Sequence, residues 1–366
     1  MIKFLDIFKQ DQKLHNSILN DIKKLFKSGD FILGKEVLNF ENNFKNFTQS
    51  KYAVSCGNGT DALTIALKSL NIPNNSEVII PAMTYCSTAF AVINAGFKPV
   101  LVDTEFLKPT IDLIDLKKKI NKKTRVILPV HLYGSVANLT GIKEIIKKKN
   151  IFLVDDCAQA HGSIDDSMSL KKKKKIGSTT DISCFSLYPG KNLGAYGDAG
   201  IITTNNKILY ERIRKIRNLG SDKKFIHDYI GLNSRLDTIQ AIILNKKIKN
   251  LTNLNKKRQK IAKFYNKNIF NKNIVKLKYT KSCVYHQYVI LVKNKKELIK
   301  KFNSKKIGFG FHYPFAIHQL DVFKKMFKGK KFKNAERLAK EGISIPIDPN
   351  LKQVEIENIV NTLNGL

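Results

Sequence analysis

Apolar runs recur along the first two thirds of the chain, each followed by a turn and then by residues at helical spacing. "KYAVSCGNGTDALTIALKSL" (51–70) reads as a short strand, a glycine turn and a helix beginning near Thr60. "EVIIPAMTYCSTAFAVINAG" (77–96) repeats strand, loop and helix, and "KPVLVDTE" (98–105) and "RVILPVHLYG" (125–134) read as strands. "NIFLVDDCAQAHGS" (150–163) is a strand whose end carries two acids. "DISCFSLYPGKN" (181–192) is a strand running into a turn, and "GIITTN" (200–205) a strand leaving it. Residues 12–28 and 39–47 have helical spacing. Unbroken apolar strands alternating with helices predict an α/β fold whose largely parallel sheet is buried on both faces. Ligands of such sheets bind beyond the carboxyl ends of the strands. After about residue 245 the pattern changes to a lysine-rich helix (236–268), the strand "YHQYVILVKN" (285–294), the helix "KKELIKKFNSKK" and "IGFGFHYPFAIHQL" (307–320). Two domains are therefore expected, a large one over 1–245 and a smaller α/β one over 246–366.

Composition narrows the function classes. With 366 residues, 43% of them hydrophobic, the chain can build a large core. Its 65 basic residues against 30 acidic ones leave a net charge of +35, which raises nucleic acid as a partner. The excess is nearly all lysine, as an AT-rich genome writes onto exposed faces. The runs "LKKKI" (116–120), "IIKKKN" (145–150) and "LKKKKKIG" (170–177) lack the interleaved aromatics and arginines that base stacking wants. No nucleic-acid partner is expected, and the lysine run 171–175 reads as a solvated loop. No stretch approaches the roughly 20 apolar residues of a membrane span, and the first 20 residues lack the apolar core of a signal peptide. Five scattered cysteines without a CxxC pair fit reduced thiols in a cytoplasm, with no metal site.

Three stretches carry chemistry. In "CGNGTDAL" (56–63) a glycine turn opens a helix, so backbone N–H groups and the helix dipole face an anion, and Thr60 can cap the helix and touch a phosphate. In "VDDCAQAHG" (154–162) two acids end an apolar strand, and only one of the two can face a given pocket. In "FSLYPGKNLGAYGDAG" (185–200) a single lysine, Lys191, sits in a glycine-rich turn with Ser186 five residues before it. A desolvated lysine holds a free amine that can attack a carbonyl. Each stretch has a plainer reading: a capped helix start, a helix N-cap, a surface lysine. Their combination, in this order, is that of a pyridoxal phosphate enzyme, where lysine carries the aldehyde carbon and an acid pairs with the pyridinium nitrogen.

The chain resembles the DegT/DnrJ/StrS family of sugar aminotransferases over nearly its whole length. The resemblance rests on "GNGTDALTIAL", "PAMTYCSTAFAVINAGFKPVLVD", "PVHLYG", "VDDCAQAHGS", "FSLYPGKNLGAYGDAG" and "GLNSRLDTIQA" (231–241). It implies the fold type I, aspartate aminotransferase-like architecture and pyridoxal 5′-phosphate, cycling with its pyridoxamine form, as cofactor. By position, Lys191 matches the lysine that carries the cofactor and moves the proton. Asp156 matches the carboxylate on the ring nitrogen, although the family commonly has Glu-Asp where this chain has Asp155-Asp156. Gln159 matches the contact to the ring oxygen, Tyr85 the ring that stacks on the cofactor, and Gly59, Thr60 and Ser186 the phosphate grip. Asn233 matches an asparagine reaching the cofactor phosphate of a neighbouring subunit, which implies a homodimer with shared active sites.

"YPGKNLGAYGDAG", "YHQYVILV" and "GFHYPFAIHQ" are similar to the branch that aminates C3 of dTDP-linked 3-keto-6-deoxyhexoses. On that resemblance L-glutamate is the amino donor. His312 and Tyr313 are expected to line the sugar-nucleotide site, Tyr188 to lie near the keto sugar and Lys224 to meet the diphosphate. A UDP-linked 3-keto sugar or a 4-keto sugar remains the alternative substrate.

Overall fold

The computed structural model describes residues 1–166 and 174–366. Seven strands form the main sheet: β1 (Tyr52–Cys56), β2 (Glu77–Pro81), β3 (Lys98–Val102), β4 (Thr124–Ile127), β5 (Phe152–Asp156), β6 (Ile182–Ser186) and β7 (Gly200–Thr204). Their order is β1-β7-β6-β5-β4-β2-β3, and only β7 runs antiparallel to its neighbours. The expected mostly parallel α/β sheet is therefore present.

The apolar runs explain why this sheet is buried twice over. Successive side chains on a strand point to opposite faces. Val78, Val126, Val154 and Ile202 enter one core, while their neighbours Ile79, Ile127, Leu153 and Ile201 enter the other. Helix Gly59–Ser69 packs on the first face, and helices Lys35–Thr48 and Thr238–Lys247 cover the second. A three-stranded antiparallel sheet follows, from β8 (Ile274–Lys276), β9 (Tyr288–Val292) and β10 (Gly342–Ile345) in the order β10-β9-β8. Its own core includes Tyr265, Tyr288, Phe302 and Ile359, joined by Ile2 from the start of the chain.

Several expected elements differ in extent. The strand expected over 125–134 stops at Ile127, and a single 3-10 turn occupies Leu132–Gly134. Pro129 has no N–H to continue a ladder, and its carbonyl accepts from Asp156 N at 2.9 Å. The long helix expected over 236–268 is two α-helices, Thr238–Lys247 and Leu251–Asn268, joined by the 3-10 turn Ile248–Asn250. Of the lysine run 171–175, Lys171, Lys172 and Lys173 lie outside the described residues. Lys174 is exposed, and Lys175 is half-buried with its ammonium 4.0 Å from the Phe47 ring centroid. Among the described residues no helix is long and apolar enough to cross a membrane.

Candidate active site

The carboxyl ends of β1, β5 and β6 open onto one cavity of about 760 Å³. Helix Gly59–Ser69 starts at its floor. The helix cap is Asn58 rather than the expected Thr60: the Asn58 side-chain oxygen accepts from Asp61 N at 2.8 Å, because Asn58 holds the extended backbone a cap needs. Thr60, already inside the helix, instead donates its hydroxyl to Ser87 Oγ at 2.8 Å. Ser87 belongs to a second helix start, Cys86–Asn94, on the same cavity. A Cβ on Gly59 would lie 2.6 Å from Ser186 Cβ at the end of β6, so only glycine lets this helix start close on the strand. Gly59, Thr60 and Ser186 thus line one corner of the cavity, where helix N–H groups and hydroxyls suit a phosphate. Gly59→Ala is expected to weaken cofactor binding about tenfold or more, read as the dissociation constant in a fluorescence titration. Unchanged affinity would remove the phosphate from this corner.

The two acids at the end of β5 diverge. Asp155 turns away from the cavity, accepting from Thr180 Oγ1 at 2.7 Å and meeting His131 Nε2 at 3.0 Å. The Ala137 N–H occupies His131 Nδ1 at 3.0 Å, so Nε2 carries the proton that Asp155 receives. His131, Asp155 and Cys157 stand together as potential metal ligands, but these bonds already use both imidazole nitrogens. Burial pushes the Asp155 carboxyl up, and the bonds from His131, Ser183 and Thr180 outweigh it and hold the group below its usual range. Asp156 turns into the cavity, accepting from Thr88 Oγ1 at 2.9 Å and Ala158 N at 3.0 Å. Burial raises its carboxyl despite those two bonds and the nearby Lys191 charge.

Lys191 reaches the same cavity from the turn after β6. Its N–H closes the turn on Tyr188 O at 2.9 Å. The next residue anchors the loop: Asn192 Nδ2 donates to Asn255 Oδ1 at 2.9 Å and Val284 O at 3.1 Å. Burial lowers the ammonium of Lys191 to about 8, with the Asp156 charge pulling the other way.

The remaining wall is aromatic. Gln159 accepts from Tyr133 N at 2.6 Å and donates to Tyr313 Oη at 2.9 Å. The rings of Tyr313 and Tyr85 lie 5.2 Å apart. His312 bonds Ser344 Oγ through Nδ1 at 2.8 Å, and its carbonyl accepts from the Tyr133 hydroxyl. Burial, aided by the Lys191 charge, lowers His312 to about 4, and burial with the Asp156 charge raises the Tyr313 hydroxyl. Both are neutral donors or acceptors near neutral pH. Tyr188 is exposed on the cavity wall.

Ten of the twelve sequence-predicted site residues thus share one cavity. Asn233 and Lys224 do not line it; both are exposed on the loops after helix Lys207–Arg217. Sequence reasoning missed Thr88, which holds Asp156, and Ser87, although "TYCST" displayed both hydroxyls. It also missed His286, which lies within "YHQYVILV", and Phe4 and Leu5, which line the cavity although they stand far from every motif.

The model of the DegT/DnrJ/EryC1/StrS aminotransferase family matches residues 12–364. The chain belongs to this family. It is a sugar aminotransferase dependent on pyridoxal phosphate. It is 37% identical to the dTDP-3-amino-3,6-dideoxy-alpha-D-galactopyranose transaminase of Aneurinibacillus thermoaerophilus, over 100% of this chain and 99% of that one. It is 32% identical to the UDP-N-acetyl-3-dehydro-alpha-D-glucosamine 3-aminotransferase of Acidithiobacillus ferrooxidans, over 99% of this chain and 97% of that one. Among solved structures, that of Streptomyces venezuelae DesV in complex with a ketimine intermediate superposes with a TM-score of 0.95. It is 31% identical and covers 100% of this chain and 98% of that one. The cavity fits the cofactor on its own evidence: a lowered lysine, a raised buried carboxylate, and a helix start that only glycine permits.

Proposed function

We propose that this aminotransferase passes the amino group of L-glutamate to the C3 keto group of a dTDP-linked 3-keto-6-deoxyhexose, forming a dTDP-3-amino-3,6-dideoxyhexose. The full-length similarity to the A. thermoaerophilus transaminase supports this substrate class. The observation that carries the chemistry is the pairing of Lys191, its amine lowered to about 8, with the buried Asp156 in one cavity.

When bound, pyridoxal phosphate supplies an aldehyde carbon and an electron-accepting ring. Gly59, Thr60 and Ser186 would hold its phosphate. Asp156 would pair with the ring nitrogen, Gln159 with the ring oxygen, and Tyr85 would pack on the ring. Lys191 would anchor the cofactor, and its free amine would take the proton from the substrate carbon as a general base and hand that proton on as a general acid. Tyr188, His312 and Tyr313 orient the sugar nucleotide. Asn233, outside its own subunit's cavity, would serve the cofactor phosphate in the site of a second copy, and Lys224 would meet the diphosphate. The enzyme acts as a cytoplasmic homodimer.

A substrate panel tests the reading. L-glutamate is expected to bleach the visible band of the loaded enzyme, and dTDP-3-keto-6-deoxyhexose to restore it. Restoration by a UDP-linked 3-keto sugar instead would favour the second reading, which the A. ferrooxidans relative supports. Restoration by a 4-keto sugar alone would overturn the C3 assignment and leave the aminotransferase chemistry standing on the other alternative substrate.

A further inference from the structure

The first eleven residues precede the stretch that the family model matches, which begins at residue 12. They nevertheless form part of the cavity wall. Ile2 joins the C-terminal unit edge-on: Ile2 N donates to Lys306 O at 2.9 Å, and Gly308 N to Ile2 O at 2.8 Å. A Cβ on Gly308 would lie 2.6 Å from Phe4 N, so glycine is needed for this approach. Asp348 then holds the segment from below, accepting from Asp6 N at 2.9 Å and Gln10 Nε2 at 2.7 Å. At its far end the buried Asp11 crosses to the large sheet's side, pairing with Lys247 Nζ at 2.7 Å and accepting from Tyr196 Oη at 3.1 Å. The segment is a strap tied at both ends, spanning the two sheet units.

Between those ties Phe4 and Leu5 face the cavity. The Phe4 ring stacks on His312 at 5.8 Å with 13° between the planes. Leu5 lies against the turn that carries the lysine: its Cδ2 is 3.7 Å from where a Cβ on Gly190 would sit, beside the Tyr188 ring. The strap therefore puts carbon on the cavity wall beside the turn that carries Lys191. A 6-deoxyhexose is polar at its hydroxyls, its ring oxygen and its ketone. Its C6 methyl is the one substituent that gains by meeting carbon.

We propose that Leu5, backed by Phe4, is a specificity-determining residue that accepts the C6 methyl of the hexose and rejects sugars bearing a C6 hydroxyl or carboxylate. This deepens, and rests on, the 6-deoxy-sugar reading above. Among the described residues lining the cavity the only lysine or arginine is Lys191. His286 and His312 are both held neutral, chiefly by burial. A C6 carboxylate set against Leu5 would thus give up water for carbon, and a C6 hydroxyl would meet the same apolar side chain.

The test runs the reaction in the stable direction. Full-length, cofactor-loaded enzyme receives 2-oxoglutarate and either dTDP-3-amino-3,6-dideoxyhexose or its 6-hydroxy counterpart, and kcat/KM is compared. The wild type is expected to favour the 6-deoxy amine by about 10- to 100-fold, the range an apolar pocket achieves against an added hydroxyl. Leu5→Ser should reduce that preference to about threefold or less, while Leu5→Ile retains it. The preference is a ratio within one preparation, so partial misfolding of a variant cancels. An undiscriminating wild type, or a Leu5→Ser enzyme with its preference intact, overturns the role of the strap and leaves the C3 reading standing. Turnover of neither amine overturns the substrate reading, and the inference with it.

Discussion

Lys191→Ala is expected to lower kcat about 10⁴-fold, the upper end of what a positioned acid–base group contributes. Lys191 is the one lysine or arginine among the described residues lining the cavity, and no neighbour stands in for it as an amine. The measurement is a single-turnover reaction with cofactor in excess, so that loss of the anchor is separated from loss of proton transfer. Activity within tenfold of wild type would remove Lys191 from the chemistry. A second consequence follows from its amine, lowered to about 8 by burial. In cofactor-free protein the free-amine fraction increases about tenfold per pH unit below that value and levels off above it. The rate of cofactor capture should follow the same curve. A rate still climbing at pH 10 would mean an ordinary solvated lysine.

Asp156→Asn carries the other large effect. Burial raises the Asp156 carboxyl above its usual range, and the bonds from Thr88 and Ala158 and the Lys191 charge offset this only in part. A carboxyl whose folded pKa is raised adds stability below its unfolded pKa and loses it as pH rises through the folded value. In the cofactor-free protein burial therefore works against the charged form of Asp156, and a protonated ring nitrogen would relieve that cost. Asparagine removes both the cost and the relief. The cofactor-free variant should melt at or above the wild-type temperature, while the loaded variant melts below loaded wild type. Affinity for the cofactor should fall by about 2–5 kcal/mol, roughly 30- to 5000-fold, as when one member of a buried charge pair is removed. Equal gains in melting temperature on loading both proteins would detach Asp156 from the ring nitrogen.

These effects were legible because local sequence encodes local geometry. An apolar strand ending in "VDD" and another ending before "YPGK" must present their last residues at one edge of a parallel sheet, since parallel strands end together. That is how Asp156 and Lys191 meet although 34 residues of chain separate them. The cap at Asn58 instead of Thr60 was missed because either polar residue can cap, and the choice lies in the backbone angles. The break at Ile248–Asn250 was missed because helix Thr238–Lys247 is largely buried while helix Leu251–Asn268 exposes most of its lysines. The turn between them carries no glycine or proline to mark it.

Period along the chain was by itself enough to give the α/β class and the double burial of the main sheet, while the glycine turn, the acid pair and the lone lysine stood out as motifs whose cofactor roles the family resemblance supplied. Each depends on neighbours within a strand, a turn or a helix. Strand alternation left open which acid of "VDD" faces the cavity, and the family resemblance chose Asp156; tertiary structure alone decided that Thr88 holds it and that Gln159 is braced between Tyr133 and Tyr313. It alone brought Phe4 and Leu5 to the cavity wall, about 300 residues from the Gly308–His312 segment they pack against. Such contacts cross long stretches of chain, and nothing in the spacing of either segment records where the other will lie.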